Sequence, residues 1–197
     1  MRFFKFKLLF LCSLWLFQCK SSIEGEVKHE IKDPSLKDIV EKADSLFKEK
    51  EGLIVYVKLY GSEDLIEVKD YNKWPDDIEI TYNVLIYDDK PLLYKEIPYI
   101  ESGDFKNIYT YYFDESLNVV ATKFISIFFD SGCVEGALSK EVVRYYQEER
   151  MIDETIAYYD TNQNTVEDPS KCSENYELNL NLEYYNYSDT PIAKTLE

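Results

Sequence analysis

Residues 78–99 read IEITYNVLIYDDKPLLYKEIPY, two apolar runs on either side of a short polar stretch. Two runs rich in β-branched and aromatic residues, 78–87 and 92–99, flank the tetrapeptide DDKP at 88–91. β-branched and aromatic side chains pack well on a pleated sheet, whereas Asp and Pro favour a tight turn. This stretch therefore predicts a β-hairpin.

The same arrangement recurs on both sides of this hairpin. Segments 107–113 and 118–129 flank DESL at 114–117, and segments 53–60 and 65–71 flank GSED at 61–64. Near the end of the chain, residues 176–187 alternate between apolar and polar, which is typical of a strand with one buried face. Its apolar side is formed by Tyr176, Leu178, Leu180, Leu182 and Tyr184. Successive hairpins predict an antiparallel meander.

Residues 135–160 are compatible with two structures. Leu138, Val142, Tyr145 and Tyr146 would share one face of a helix. Residues 142–146 also fit a strand, with a turn at 147–150 and a returning strand at 151–159. Because this segment is rich in β-branched and aromatic residues, it favours the hairpin.

One helix is predicted before the strands. Six apolar residues recur at helical spacing and form a single stripe: Leu36, Ile39, Val40, Ala43, Leu46 and Phe47. Asp33 fits an N-cap, Pro34 the first turn, and Gly52 the end of the helix. We therefore predict an α+β fold, mainly an antiparallel β meander in a single twisted sheet, with this amphipathic helix packed on one face. The other face of such a sheet is expected to contact water.

The charge balance excludes some classes of partner. The chain has a formal net charge of -16, with 38 acidic and 22 basic residues. A surface of this kind repels phosphate, so nucleic acid and anionic lipid headgroups are poor partners. It attracts cationic proteins, although high solubility alone would also account for the acidic composition.

The first residues have the composition of an export signal. Arg2, Lys5 and Lys7 precede an apolar stretch at 8–17, which is shorter than the roughly 20 residues that cross a bilayer. A basic start followed by a short apolar segment is typical of a secretory signal peptide.

The apolar stretch ends in Leu16-Phe17-Gln18-Cys19. This tetrapeptide resembles the lipobox of bacterial lipoproteins, with Leu16 three places before the cysteine, although that family prefers smaller residues than Phe17 and Gln18. The resemblance covers the signal segment only. It implies that residues 1–18 are a signal peptide and that Cys19 receives a diacylglycerol and becomes the first mature residue.

The resemblance also implies an organisation and a location. Residues 19–34 would form a lipid-anchored tether, and residues 35–197 a single α+β domain. Lys20 stands where lipoproteins retained in the inner membrane often have Asp, which favours the outer membrane of the cell envelope. Several acyl chains together, as in a palmitate-bearing lipoprotein, anchor a protein far better than one chain does.

Cys133 and Cys172 are the two cysteines of the predicted domain. Export would place them in a compartment where disulfides persist, so we predict a structural disulfide between them. Two alternatives stay open, a redox pair and two free buried thiols. The absence of a C-x-x-C motif weakens the redox alternative.

The residues needed for several common catalytic sites are missing from the sequence. His29 is the single histidine and precedes the helix, whereas Ser or Cys nucleophiles usually need a base within hydrogen-bond reach. Asp160, Asn162 and Asn164 resemble the start of an EF-hand loop, but Thr and Lys stand where that loop needs Gly and Glu. We predict no metal, no cofactor and no enzymatic activity.

Adjacent carboxylates leave one enzymatic alternative open. Asp76-Asp77 and Asp88-Asp89 are pairs of this kind, and two acids suffice in principle for glycoside hydrolysis. Both pairs lie in predicted turns, where Asp is favoured for local reasons. The alternative hypothesis is a carboxylate-based hydrolase that acts on envelope glycans.

Tyrosine doublets are the main candidates for a binding surface. Neighbouring residues in a strand point to opposite faces, so each doublet would place one ring inside and one outside. The candidate outward rings are Tyr111, Tyr145, Tyr158 and Tyr185. Cross-strand packing of these rings is the alternative explanation. The leading hypothesis is a lipid-anchored envelope protein that acts as a non-enzymatic binding or inhibitory module for a cationic envelope or exported protein.

Overall fold

The computed structural model describes residues 34–70, 72–129, 131–172 and 180–195. Within these residues the chain forms one α-helix and eight β-strands. Their bounds are α1 Pro34–Glu49, β1 Leu53–Leu59, β2 Leu65–Glu67, β3 Ile78–Tyr87, β4 Lys90–Pro98, β5 Phe105–Phe113, β6 Val119–Phe128, β7 Leu138–Gln147 and β8 Arg150–Tyr159. The predicted α+β class with a β meander is confirmed.

All eight strands belong to one antiparallel sheet, in the order β2-β1-β3-β4-β5-β6-β7-β8. The β3–β4 and β7–β8 hairpins close through two residues each, Asp88-Asp89 and Glu148-Glu149, and all four of these residues have positive φ. Positive φ at both central residues is the geometry of a type I′ turn, which matches the twist of antiparallel strands. The hairpin predicted within 135–160 is confirmed.

Helix α1 covers one face of the sheet with its apolar stripe. Leu36, Val40 and Ala43 are buried against residues of β3 to β7, including Tyr112. After the helix the chain turns at Gly52, which has a φ of 72°. A Cβ at this position would lie 2.2 Å from the carbonyl oxygen of Ile86, so the close approach of β3 requires glycine.

The second face of the sheet is covered as well, which corrects the prediction of a face in contact with water. Residues 180–195, here called the C-terminal segment, lie over this face. Tyr187 and Ile192 are buried in its core, and Leu180, Leu182 and Tyr184 pack against that core. The sheet residues beneath include Tyr56, Tyr82, Val84, Tyr94, Tyr111, Phe113, Phe124, Val142 and Tyr146.

The strand predicted at 176–187 is wrong where the structure describes it. Residues 173–179 lie outside the described residues, and 180–184 form no strand. Their alternation persists as burial, because Leu180, Leu182 and Tyr184 are partly buried while the residues between them are exposed. An extended chain that lies on a sheet face buries every second side chain just as a strand does, so the pattern did not distinguish the two.

A disulfide joins Cys133 to Cys172. Cys133 lies in the connection between β6 and β7, and Cys172 follows a short 3-10 turn at Pro169–Lys171. The predicted bond is therefore confirmed, and it joins the β6–β7 connection to the chain at Cys172. Within the described residues, no helix is long and apolar enough to cross a membrane.

Candidate binding site

A cavity of about 450 Å³ opens at the end of the sheet where α1 begins. Four parts of the fold form its walls: the first turn of α1, the β5–β6 connection, the β7–β8 turn and the C-terminal segment. The lining residues are Leu36, Asp114, Asn118, Val119, Val120, Tyr146, Gln147, Glu148, Glu149, Leu182 and Tyr185. Three carboxylates and two tyrosines thus line one opening, and of the two rings Tyr185 is the exposed one.

The acidic residues of the cavity are presented by tight turns. Glu148 and Glu149 are the exposed central residues of the type I′ turn between β7 and β8. Asp114 begins the β5–β6 connection, where its Oδ1 accepts hydrogen bonds from the backbone N–H groups of Ser116 and Asn118, both at 2.9 Å. The turn geometry fixes the backbone of Glu148 and Glu149 at the cavity, and the two hydrogen bonds hold the Asp114 carboxylate in place.

Tyr185 is held at this rim by its backbone. Its carbonyl accepts a hydrogen bond from the N–H of Val119 at 2.9 Å, and its own N–H donates to Asp189 Oδ2 at 3.2 Å. The side chain remains 46% exposed. The ring is therefore available to a ligand while the main chain is fixed to β6.

A buried carboxylate holds the C-terminal segment on the sheet. Tyr94 donates to Glu96 Oε1 at 2.5 Å, and Tyr184 donates to the same oxygen at 2.8 Å. Burial raises the pKa of Glu96, and the two tyrosine hydrogen bonds partly oppose this rise. Burial beside Glu96 also raises the pKa of both tyrosines, so their hydroxyls stay protonated as donors. This cluster positions Tyr184 and thereby its neighbour Tyr185.

Arg144 provides a second attachment for the same segment. Its Nε donates to Glu154 Oε2 at 2.5 Å, and its Nη1 donates to the carbonyl of Leu180. The arginine therefore ties the start of the described C-terminal segment to both β7 and β8. Leu182, which lines the cavity, lies between this attachment and the Glu96 cluster.

A polar cluster on the opposite face fixes α1. Asp44 accepts a hydrogen bond from the Tyr112 hydroxyl at 2.8 Å and forms an ion pair with Lys123. Lys95 lies beside them with its Nζ 3.7 Å from the centroid of the Phe47 ring. Burial lowers the pKa of Lys95 to about 8, with a further lowering by neighbouring lysines and an opposing effect of Asp44. These contacts hold the helix whose first turn lines the cavity.

The four predicted binding tyrosines are not brought together. Tyr111 and Tyr145 are only 1% and 7% exposed, the first beneath the C-terminal segment and the second beneath α1. The prediction that both face solvent is wrong, because each sheet face is covered. Tyr158 is half-buried on β8, with Lys140 Nζ 5.6 Å from its ring centroid. Tyr185 is the member of the set that lines the cavity.

Other predicted features have simpler structural roles or lie elsewhere. Cys19 and His29 are outside the described residues. Asp160 Oδ1 accepts hydrogen bonds from the backbone N–H groups of Asn162 and Asn164, both at 2.8 Å, so this segment is a local turn. Those bonds lower the pKa of Asp160, together with one from the Asn164 side chain. Across the described parts of the chain, no group of three or more His, Cys, Asp or Glu residues is arranged to hold a metal.

The acidic pair at the cavity differs from the pairs singled out in the sequence. Asp88-Asp89 forms the β3–β4 turn, and Asp77 lies in the connection before β3. Glu148-Glu149 was predicted only as part of a turn, because nothing local indicates that Asp114 and Tyr185 lie beside it. The residues that form this rim are far apart in the sequence, and they meet only because of the order of the strands in the sheet.

Comparisons with protein-family models, with curated proteins and with solved structures find no match for this chain. The chemistry of the candidate site is therefore inferred from the geometry of this chain alone. An opening with Asp114, Glu148 and Glu149 on its rim and Tyr185 beside them is chemically suited to a cationic group.

Proposed function

We propose that this protein is a lipid-anchored component of a bacterial cell envelope that binds a cationic protein at the cavity beside Tyr185. The observation that supports this most directly is the meeting of Asp114, Glu148 and Glu149 with an exposed aromatic ring around one opening of about 450 Å³. Cavities of roughly 300–1,000 Å³ are the size class that proteins use for ligand groups.

The chemistry of the site favours lysine or arginine side chains of a partner. Carboxylates accept charge-assisted hydrogen bonds from both, and the face of a tyrosine ring attracts a cation. The net charge of -16 would speed the approach of a basic protein over a longer range. An exported lytic enzyme or toxin that the protein neutralises belongs to this class of partner.

Capture from envelope extracts tests the proposal. The full chain with Cys19→Ser serves as a soluble bait, and the double variant Glu148→Gln/Glu149→Gln removes two charges from the rim. Glu101→Gln/Glu135→Gln is the matched control, because it removes two exposed charges at the opposite end of the sheet. We expect a basic protein to be retained by the bait and by the control, and to be lost at the rim variant.

Two outcomes would contradict the proposed site. Equal retention by the rim variant and the control would show that only overall charge matters. Recovery of no basic protein at either low or high salt would refute the proposed binding function itself. Salt dependence is informative, since contacts between exposed charges weaken as ionic strength rises.

The anchor is tested separately. Labelling of growing cells with palmitate should mark the protein, and Cys19→Ala should abolish the label and release the protein from the outer-membrane fraction. A retained label in Cys19→Ala would refute the lipid anchor at this residue, whatever the cavity binds.

A second candidate function is hydrolysis of envelope glycans, because the cavity gathers three carboxylates. Glycosidases place two carboxyl groups roughly 5–10 Å apart and need one with a raised pKa as the general acid. Glu96 has a raised pKa but is buried under Tyr184 and does not line this cavity. Binding is therefore the better-supported function. Release of soluble sugar from envelope glycans, lost in Glu148→Gln/Glu149→Gln, would reverse this preference.

A further inference from the structure

The two edges of the sheet differ in length and protection. At one edge, β2 contains only the residues Leu65–Glu67. At the other edge, β8 runs for ten residues, Arg150–Tyr159, and pairs with β7 alone among the eight strands. A long edge strand exposes unpaired backbone groups and is a template for pairing with another chain, whereas a short edge strand is a common protection.

The hydrogen bonds show which residues of β8 face the open edge. The carbonyl of Tyr158 accepts a hydrogen bond from the N–H of Val166, and the N–H of Glu154 donates to the carboxylate of Asp153. Outward-facing groups alternate along an antiparallel strand, so the even-numbered residues of this part face away from β7. The backbone N–H and C=O of Ile156 therefore lie on the open edge.

At one end of this edge, residues that follow β8 in the chain pair with it. Thr165 forms an isolated antiparallel bridge with Tyr159, and the N–H of Val166 reaches Tyr158 at 2.8 Å. The pairing stops there. Along residues 150–157, no strand of the described residues pairs with the side of β8 that faces away from β7. The edge is thus regular enough to pair, and the described part of the chain leaves it open along most of its length.

The open stretch carries apolar and acidic side chains. Met151, Ile152 and Ile156 are exposed by 53%, 39% and 49%. Asp153 and Glu154 lie between them, and Glu154 is also paired with Arg144. The strand begins with the exposed Arg150, directly after the Glu148-Glu149 turn that lines the cavity. Apolar and acidic groups on one edge fit a segment that alternates apolar and basic residues.

We propose that β8 accepts an extended basic segment of the cationic partner as a ninth strand of the sheet. Main-chain hydrogen bonds to the N–H and C=O of Ile156 and to the C=O of Glu154, whose N–H already donates to Asp153, would supply affinity. Side chains along the strand would supply specificity. The segment's basic residues would face Asp153 and, at the end of the strand, Glu148 and Glu149. This inference rests on the proposed binding function and names the form of the partner's contact.

Charge selects this occupant over a second copy of the protein. Pairing of β8 with the β8 of a second copy would bring two acidic proteins into contact, and a register centred near residues 153 and 154 would also place their carboxylates close together. Like charges opposite each other destabilise a strand pair, and each copy carries a net charge of -16. A basic strand avoids both the repulsion between like charges on paired strands and the repulsion between two negatively charged molecules.

Three synthetic peptides provide the first test against the full-length Cys19→Ser protein. The first is a nine-residue peptide that alternates lysine and valine. The second replaces every lysine by glutamate. The third keeps the lysines but carries N-methyl groups on the amides of one edge, which removes backbone donors without changing the charge. Calorimetry measures binding, and hydrogen exchange measures protection of 150–159 and of the control strand 65–67.

The lysine peptide should bind and slow exchange in 150–159 while 65–67 stays unchanged. The glutamate and N-methylated peptides should each bind at least about tenfold more weakly, because one has the wrong charge and the other cannot complete the ladder. Equal binding of the N-methylated peptide would overturn the ninth strand, and so would protection confined to another segment.

Matched variants of the two edges provide the second test. Ile156→Lys places a repelling charge on the open edge, and Ile66→Lys makes the same change on β2, where Ile66 is also exposed. We expect binding of the lysine peptide to fall at least about tenfold in the first and less than about twofold in the second. A wild-type dimer, seen by light scattering and abolished by Ile156→Lys, would show that a second copy occupies the edge and would refute the proposal.

The same variants separate this inference from the proposed function. If Ile156→Lys still captures the envelope partner while Glu148→Gln/Glu149→Gln does not, the cavity binds the partner and the ninth strand is wrong. If the rim variant also captures the partner, the proposed function itself fails.

Discussion

Removal of one hydroxyl from Tyr184 should weaken the attachment of the C-terminal segment to the sheet. In Tyr184→Phe the aromatic ring remains, so its T-shaped contact with Tyr111, at 5.1 Å between ring centroids, is retained. The variant loses only the 2.8 Å hydrogen bond to Glu96 Oε1. Glu96 keeps its bond from Tyr94 but remains buried with one donor fewer.

The expected loss depends on the charge of Glu96. A hydrogen bond to an ionised group contributes about 1.5–3 kcal/mol, and a neutral one about 1 kcal/mol. With Glu96 ionised, on the high-pH side of its raised pKa, we expect Tyr184→Phe to lower the free energy of unfolding by about 2 kcal/mol. With Glu96 protonated, on the low-pH side of its raised pKa, the loss should fall to about 1 kcal/mol.

The direction of the pH dependence follows from proton linkage. Because burial raises the pKa of Glu96 in the folded state, the folded state binds this proton more tightly than the unfolded chain does. The contribution of Glu96 to stability therefore falls as pH rises through the raised pKa. Since the Tyr184 hydrogen bond opposes that rise, its removal should raise the pKa of Glu96 further and steepen the fall.

Urea denaturation of the wild type and of Tyr184→Phe over a pH series that spans the titration of Glu96 measures both effects at the low and the high pH value that end the series. Tyr185→Phe is the matched control, because its exposed ring lies next in sequence and a surface change is expected to stay within about 0.5 kcal/mol. An equal loss at both pH values would refute the charged hydrogen bond. A loss in Tyr185→Phe as large as in Tyr184→Phe would refute the assigned roles of the two rings.

Three further perturbations test other parts of the fold. Gly52→Ala should lower the free energy of unfolding more than Gly61→Ala, because both glycines have positive φ but only a Cβ at position 52 would collide with backbone atoms. The backbone strain of positive φ alone costs about 1–3 kcal/mol in each variant. Thermal denaturation compares the two variants. Replacement of Cys133 and Cys172 by serine should lower stability by about 4 kcal/mol in the chain-entropy account, as measured in urea without reductant. Burial lowers the pKa of Lys95 to about 8 in the folded state, so the unfolded chain holds this proton more tightly. The free energy of unfolding should therefore increase as the pH rises from about 8 toward 10. Urea titrations should show that Lys95→Met removes this increase.

Most of the strands were predictable because their signals are local. In residues 78–99 the apolar runs and the intervening Asp88-Asp89 turn act within a few positions of each other, so the hairpin follows from the chain alone. The helix was predictable for the same reason, since its stripe repeats every three or four residues. The disulfide could be proposed because the domain offers two cysteines to each other.

The C-terminal segment shows which features a local sequence pattern cannot predict. Its alternation correctly indicated which side chains are buried, but alternation does not say whether an extended chain pairs at a sheet edge or lies across a sheet face. The location of Tyr184 over Glu96, 88 residues away in sequence, is a tertiary contact. The prediction of outward tyrosines failed because it required a bare face, and this segment and α1 leave neither face bare.

The amino-acid sequence by itself determined the helix, most of the strands, the acidic charge and the resemblance of residues 16–19 to a lipobox, because each depends on neighbours in the chain. Only the tertiary structure decided which turns meet. Asp114, the Glu148-Glu149 pair and Tyr185 form one rim because the meander returns its turns to the same end of the sheet and the C-terminal segment crosses back to join them. Contacts of that kind depend on sheet order and on packing across a face, and no local pattern of residues encodes them.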